Sequence, residues 1–125
     1  MDTKNNKVLF PELSYSVTGI LFSVHNELGP YAREKQYGNS IEVACKKQHI
    51  PYLREVVIGD SGNILDFIID SKIVVELKSC RFFTRDHYRQ IQNYLQQTQL
   101  SLGILVNFRT QKLQPKRILR IDRHP

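Results

Sequence analysis

Apolar positions recur along the chain with two periods, and the change between them marks out the elements. Val17, Ile20, Leu21, Val24 and Leu28 are spaced i, i+3, i+4, i+7 and i+11, the helical period. Ser14 is a candidate N-cap for that helix, and Gly29-Pro30 ends it. A second helix is predicted from about Glu34 to Gln48, with Tyr37, Ile41, Ala44 and Cys45 inward. After Pro51, YLREVVI reads as a strand, Gly59-Asp60-Ser61-Gly62 as a turn, NILDFII as a second strand and KIVVELK as a third. Thr84 can cap a third helix running to about Gln97, with Asp86 in its first turn, where the helix dipole favours an anion. LGILVNF reads as a buried strand; KLQPKRILRI is a last extended segment that Pro115 confines to an edge strand at best. Residues 1–12 read as a loose leader. The order ααβββαβ, with the extended tail, predicts an α/β domain with a mixed central sheet flanked by helices, one domain over residues 1–125.

The third strand breaks its own pattern. Ile73, Val74, Val75 and Leu77 form a run typical of a strand covered on both faces, yet Glu76 and Lys78 sit inside it on one face. With Asp70-Ser71-Lys72 as a three-residue hairpin loop, Ile69 pairs with Ile73 and Asp66 falls opposite Glu76. Cross-strand Cβ atoms lie about 4.5–5.5 Å apart, and like charges there repel. Such a pair needs a cation: Lys78, or a divalent metal of the hard kind, Mg²⁺ or Mn²⁺. Glu34 shares a helix face with Tyr37 and Ile41, and Gln90 and Tyr94 are four apart on the third helix with His87 on that side. Taken singly, each feature reads as well as structure: an ion-paired strand end, a strand residue reaching water, an ordinary helix face. Together they place five polar interruptions on one face, which points to a site. His25 and His49 read as surface or internally satisfied; His87 is a candidate for phosphate contact.

Composition narrows the partners. The chain has 125 residues, 41% hydrophobic and 24% charged, ordinary values for a soluble globular protein. Its net charge is +6 and uneven: residues 1–62 hold seven Lys/Arg and seven Asp/Glu, residues 63–125 eleven and five. A basic half fits a polyanion such as nucleic acid. No apolar stretch approaches the ~20 residues that cross a bilayer, and the N-terminus lacks the pattern of a secretory signal, so no membrane partner is expected. Cys45 and Cys80 have neither metal-ligand nor CxxC spacing and read as reduced thiols of a cytoplasmic protein.

Asp66, then Glu76-Leu77-Lys78 ten residues on, then Gln90-x-x-x-Tyr94 on the next helix, resembles the PD-(D/E)XK nuclease superfamily, in its exonuclease-like branch. More narrowly, ELSYSVTGILFSVHNELGPYAREKQYGNSIEVA, VVELKS, QIQNYLQQTQLSLGILVNF and KRILR resemble the small GxxExxY proteins, with Tyr31 standing where the naming glycine would be and Glu34 and Tyr37 matching. The resemblance covers about residues 12 to 120. It implies a restriction-endonuclease-like fold and a nuclease that hydrolyses phosphodiester bonds with a metal-activated water. It further implies Mg²⁺ or Mn²⁺ held by Asp66, Glu76 and the Leu77 carbonyl, with Glu34 holding a water on the metal or a second metal. Lys78 would position the water or stabilise the transition state, and Gln90 and Tyr94 would orient Lys78 or the substrate. Arg81, Arg85 and Arg89 are the expected phosphate contacts. The implied substrate is nucleic acid, DNA ahead of RNA, with a homodimer compatible with cutting two strands. Two alternatives stay open on sequence: a non-catalytic nucleic-acid- or protein-binding module on the same fold, and an assembly protein whose charged strand face is an interface.

Overall fold

The structure, a computed structural model, describes residues 9–122. The elements run α1 (Pro11–Leu28), α2 (Glu34–Lys47), β1 (Tyr52–Ile58), β2 (Asn63–Ile69), β3 (Ile73–Lys78), α3 (Arg85–Thr98), β4 (Leu102–Asn107) and β5 (Lys116–Leu119). The mixed α/β order expected from periodicity is present. The first helix differs at its start. Phe10, left-handed with φ 49°, is the N-cap, and Pro11 occupies the first turn. Proline there has a preset φ and no N–H to satisfy, so the helix opens without a polar cap. Ser14 is therefore no cap; it is buried in the helix, and its hydroxyl accepts from Arg117. Of the expected leader, residues 1–8 lie outside the described residues, while Pro11 and Glu12 are helical.

One five-stranded sheet has the order β1-β2-β3-β4-β5. β3 and β4 are parallel, joined through α3; the other neighbours are antiparallel. β5 is an edge strand directly after Pro115, where the missing N–H does no harm. The sheet is covered on both faces, which is why β3 and β4 read as continuous apolar runs. On one side α1 and α2 pack over Phe67, Val75, Leu77 and Phe108; on the other α3 packs over Leu65, Val74 and Leu105. Alternation along β3 thus sends Leu77 toward α2 and sends Glu76 and Lys78 toward α3. Among the described residues no helix is long and apolar enough to cross a membrane.

Candidate functional site

The β2–β3 hairpin has the register its sequence predicts. Ile69 pairs with Ile73 across Asp70, Ser71 and Lys72, the first two at positive φ, and the pairing continues through Ile68↔Val74 to Phe67↔Val75. There it stops. Beyond that point β2 continues against β1 alone and β3 against β4 alone, so the sheet forks at Asp66 and Glu76. Their carboxylates take over from the ladder. Leu77 N donates to Asp66 Oδ2 at 2.7 Å, and Asp66 N donates to Glu76 Oε1 at 3.1 Å. Each acid is thus held by the backbone of the opposite strand, and the two are brought together as the register requires.

The electrostatics follow from burial. Glu76 is 3% exposed. Burial, then the negative charge of Asp66, pushes its carboxyl from an ordinary 4.5 up to about 8. Burial raises Asp66 as well, against the hydrogen bond from Leu77 and the charge of Lys78, which pull it down. Below about 4.5 the Glu76 carboxyl is protonated in folded and unfolded chains alike and carries no penalty. As pH rises from there to about 8, the unfolded chain ionises and the folded one resists. The metal-free protein is therefore expected to lose stability steadily across that window and level off above it. Urea unfolding at a series of pH values checks this; stability that rises between pH 5 and 8 would contradict it.

Lys78 lies at the rim of the same fork. Its Nζ donates to Gln90 Oε1 at 2.9 Å and stands 3.5 Å from Glu76 Oε2. Gln90, one turn inside α3, thereby aims the ammonium at the acids. Tyr94 is differently employed: it is buried, and its hydroxyl donates to Ile64 O at 3.3 Å rather than meeting Lys78. Burial, followed by the charges of Glu76 and Asp66, pushes it up to about 12, so it stays a donor.

Glu34 comes from the other side of the sheet. It is exposed at the first position of α2, not inward with Tyr37 and Ile41 as its spacing suggested, and its Oε2 accepts from Ser79 N at 3.0 Å. Tyr37 fixes it there. That ring is fully buried and stacks on Phe108 at 4.1 Å; its hydroxyl donates to Gly29 O and accepts from Ala32 N, locking the turn from which Glu34 emerges. Glu34 and Asp66 line one cleft of about 260 Å³.

That cleft also holds residues the sequence pattern passed over: Lys35, Arg54 and Glu55. Arg54 donates to Asn39 Oδ1 at 2.7 Å and Glu42 Oε1 at 3.0 Å, crossing α2 at Gly38. A Cβ on residue 38 would approach Arg54 Nη2 to 2.5 Å, so glycine keeps that path open. Glu55 faces Asp66 in the β1–β2 register but is unpaired, with φ 55° in mid-strand, a costly conformation for a non-glycine residue. The adjacent charges Arg54-Glu55 in an apolar strand were the available signal.

The remaining candidates are scattered. Arg81, Arg85 and Arg89 are exposed; Arg89 pairs with Asp86 at 3.1 Å at the surface, and Arg81 lines a second cleft. His87 is a capping residue: its Nδ1 accepts from Thr84 N at 3.0 Å. His25 is buried and its Nε2 is bonded to Thr110 O, a satisfied core histidine.

Among the described residues no three His, Cys, Asp or Glu side chains converge closely enough to hold an ion between them. Two carboxylates do converge, and two suit Mg²⁺, which keeps several waters and takes one or two protein carboxylates plus phosphate oxygens. A pair whose ionisation is opposed by burial and by mutual repulsion also gains most from a divalent cation. The donor set therefore fits such an ion. No curated protein and no solved structure matches the chain. The family model of the PD-(D/E)XK nuclease superfamily does, over residues 11–120. That span includes the forked strands, both acids, Lys78, Gln90 and Tyr94, and the superfamily is typically one of nucleases that use divalent metals. By that match, the chain belongs to the PD-(D/E)XK nuclease superfamily.

Proposed function

We propose that this protein is a divalent-metal-dependent nuclease that hydrolyses a phosphodiester bond at the fork between β2 and β3. The observation that carries the reading is the facing pair Asp66 and Glu76, each bonded to the other strand's backbone, with the Lys78 ammonium 3.5 Å from Glu76. Asp66 and Glu76, with the Leu77 carbonyl, would hold Mg²⁺ or Mn²⁺, and Glu34 would hold a water on that ion or a second metal. When bound, such an ion supplies positive charge to the scissile phosphate and makes water a better nucleophile.

The chain's own groups do the rest. Lys78 has three N–H donors, one directed to Gln90 and one toward Glu76. The third would meet a water or a non-bridging phosphate oxygen, so that Lys78 orients the attack and offsets charge as it builds on the phosphoryl oxygens. Water oxygen bonds to phosphorus and gives up a proton to solvent, the bond to the leaving oxygen breaks, and that oxygen takes up a proton, so that one water is consumed and no net proton is released. Gln90 holds Lys78 in line, and Tyr94 braces the floor. Exposed Arg81, Arg85 and Arg89 add salt-dependent phosphate contacts. DNA stands ahead of RNA as substrate, and the narrower likeness to GxxExxY proteins is part of this reading.

The test is cleavage of labelled single- and double-stranded DNA and RNA with Mg²⁺, Mn²⁺ or chelator. Hydrolysis that appears with metal and stops with chelator is expected. Folded protein that binds nucleic acid but cuts none of the four substrates would overturn catalysis in favour of a binding module.

A further inference from the structure

The loop that follows Lys78 is held firmly. Asn107, paired with Lys78 in the β3–β4 register and almost fully buried, clamps it: Cys80 N donates to Asn107 Oδ1 at 3.1 Å, and Asn107 Nδ2 donates to Cys80 O at 2.7 Å. Two phenylalanines follow with different fates. Phe83 is half-buried and packs edge-on against His87 and Tyr88, each at 5.8 Å, anchoring the start of α3. Phe82 is 69% exposed.

A single exposed phenylalanine is ordinary. The surroundings of this one are not. It borders a cleft of about 200 Å³ lined with the cations Arg81 and Lys116 and the Gln114 amide, the Asn107 amide being spent on Cys80, and no lining residue is acidic. An aromatic face, two cations and an amide match an unpaired nucleobase with its flanking phosphates. They do not match a duplex, whose base faces are stacked away inside the helix. The distance is right as well. Phe82 lies four residues beyond Lys78, at most about 14 Å of chain, so a base on Phe82 belongs to a nucleotide near the one cut.

We propose that Phe82 is a stacking platform for an unpaired base beside the scissile phosphate, with Arg81 and Lys116 on the adjoining phosphates, so that the substrate is single-stranded nucleic acid. The proposal rests on the nuclease reading for its purpose, but its test does not depend on cleavage. In chelator, the full chain would be titrated into single strands of DNA and of RNA carrying 2-aminopurine, and into the same DNA as duplex. Wild type, Phe82→Ala and Phe82→Tyr would be compared; Phe82 is exposed, so neither change threatens folding.

Quenching of 2-aminopurine by wild type is expected on single strands. Phe82→Ala should bind them about 5- to 150-fold more weakly and lose the quench, and Phe82→Tyr should keep both. Duplex affinity should change much less. Equal single-strand affinity and quenching in Phe82→Ala and wild type would overturn the proposal, as would equal loss on single strands and duplex. So would a chain that self-associates through Phe82, seen as a dimer that Phe82→Ala converts to monomer in sedimentation. Comparing the DNA and RNA arms separates those two sources of unpaired base. Phe82-dependent binding without metal-dependent cleavage would overturn the nuclease reading and leave this one standing; cleavage with no Phe82 effect would do the reverse.

Discussion

Lys78→Met is expected to leave a folded protein that still binds Mn²⁺ and nucleic acid but hydrolyses it about 10²- to 10³-fold more slowly. The methionine keeps most of the lysine's length and removes only the charge. In the structure that charge is directed by Gln90 and faces Glu76, so under the proposed mechanism it would act where negative charge grows during attack. Its removal takes a cation away from two acids, so metal affinity should hold or tighten while turnover falls. Single-turnover cleavage beside metal titration separates these effects. Activity within tenfold of wild type would show that Lys78 is a strand-end ion pair and nothing more.

Glu76→Gln is expected to abolish cleavage and at the same time to stabilise the metal-free protein. Glu76 is buried against Asp66, and its ionised form is opposed by both burial and that neighbour. Glutamine keeps an oxygen for Asp66 N and removes the charge. It gives up the ion pair with Lys78, but the ammonium left behind keeps its bond to Gln90 and reaches water at the rim of the fork, so the loss is smaller than the relief of a buried charge. At pH 8 a gain of about 1–2 kcal/mol is expected, with a flatter pH profile, and the rise in melting temperature that Mg²⁺ or Mn²⁺ gives the wild type should be lost. Thermal melts with and without metal read both effects. A variant that is less stable at pH 8, or that keeps the metal-induced rise, would show that Glu76 is a structural anchor.

The sequence disclosed these acids because they break a rule. A strand covered on both faces excludes charge, so Glu76 and Lys78 stood out, and the short Asp70-Ser71-Lys72 loop fixed which residue faced Glu76. Helix and strand types were legible for the same reason, the periods being strong. The start of α1 was not, because Phe10 and Pro11 open it by backbone geometry rather than by a capping side chain. Glu34 was found by its motif but misplaced, because helical spacing does not tell an inward face from the rim one position away. Arg54 and Glu55 were missed because their role depends on where β1 crosses α2 and on an unpaired ladder position, neither of which a local pattern encodes. Phe82 carried no periodic signal at all; only its exposure beside a basic cleft distinguishes it from Phe83.

Strand neighbours in this sheet are also neighbours along the chain. That has a consequence for the order of assembly. The three-residue hairpin brings Asp66 and Glu76 together through the shortest loop closure in the sheet, whereas β4 arrives only after the chain has run through α3. Gln90 is in that excursion. The repelling acids therefore lie in a locally closing hairpin, and the group that steadies Lys78 is expected to arrive by a slower, longer-range step.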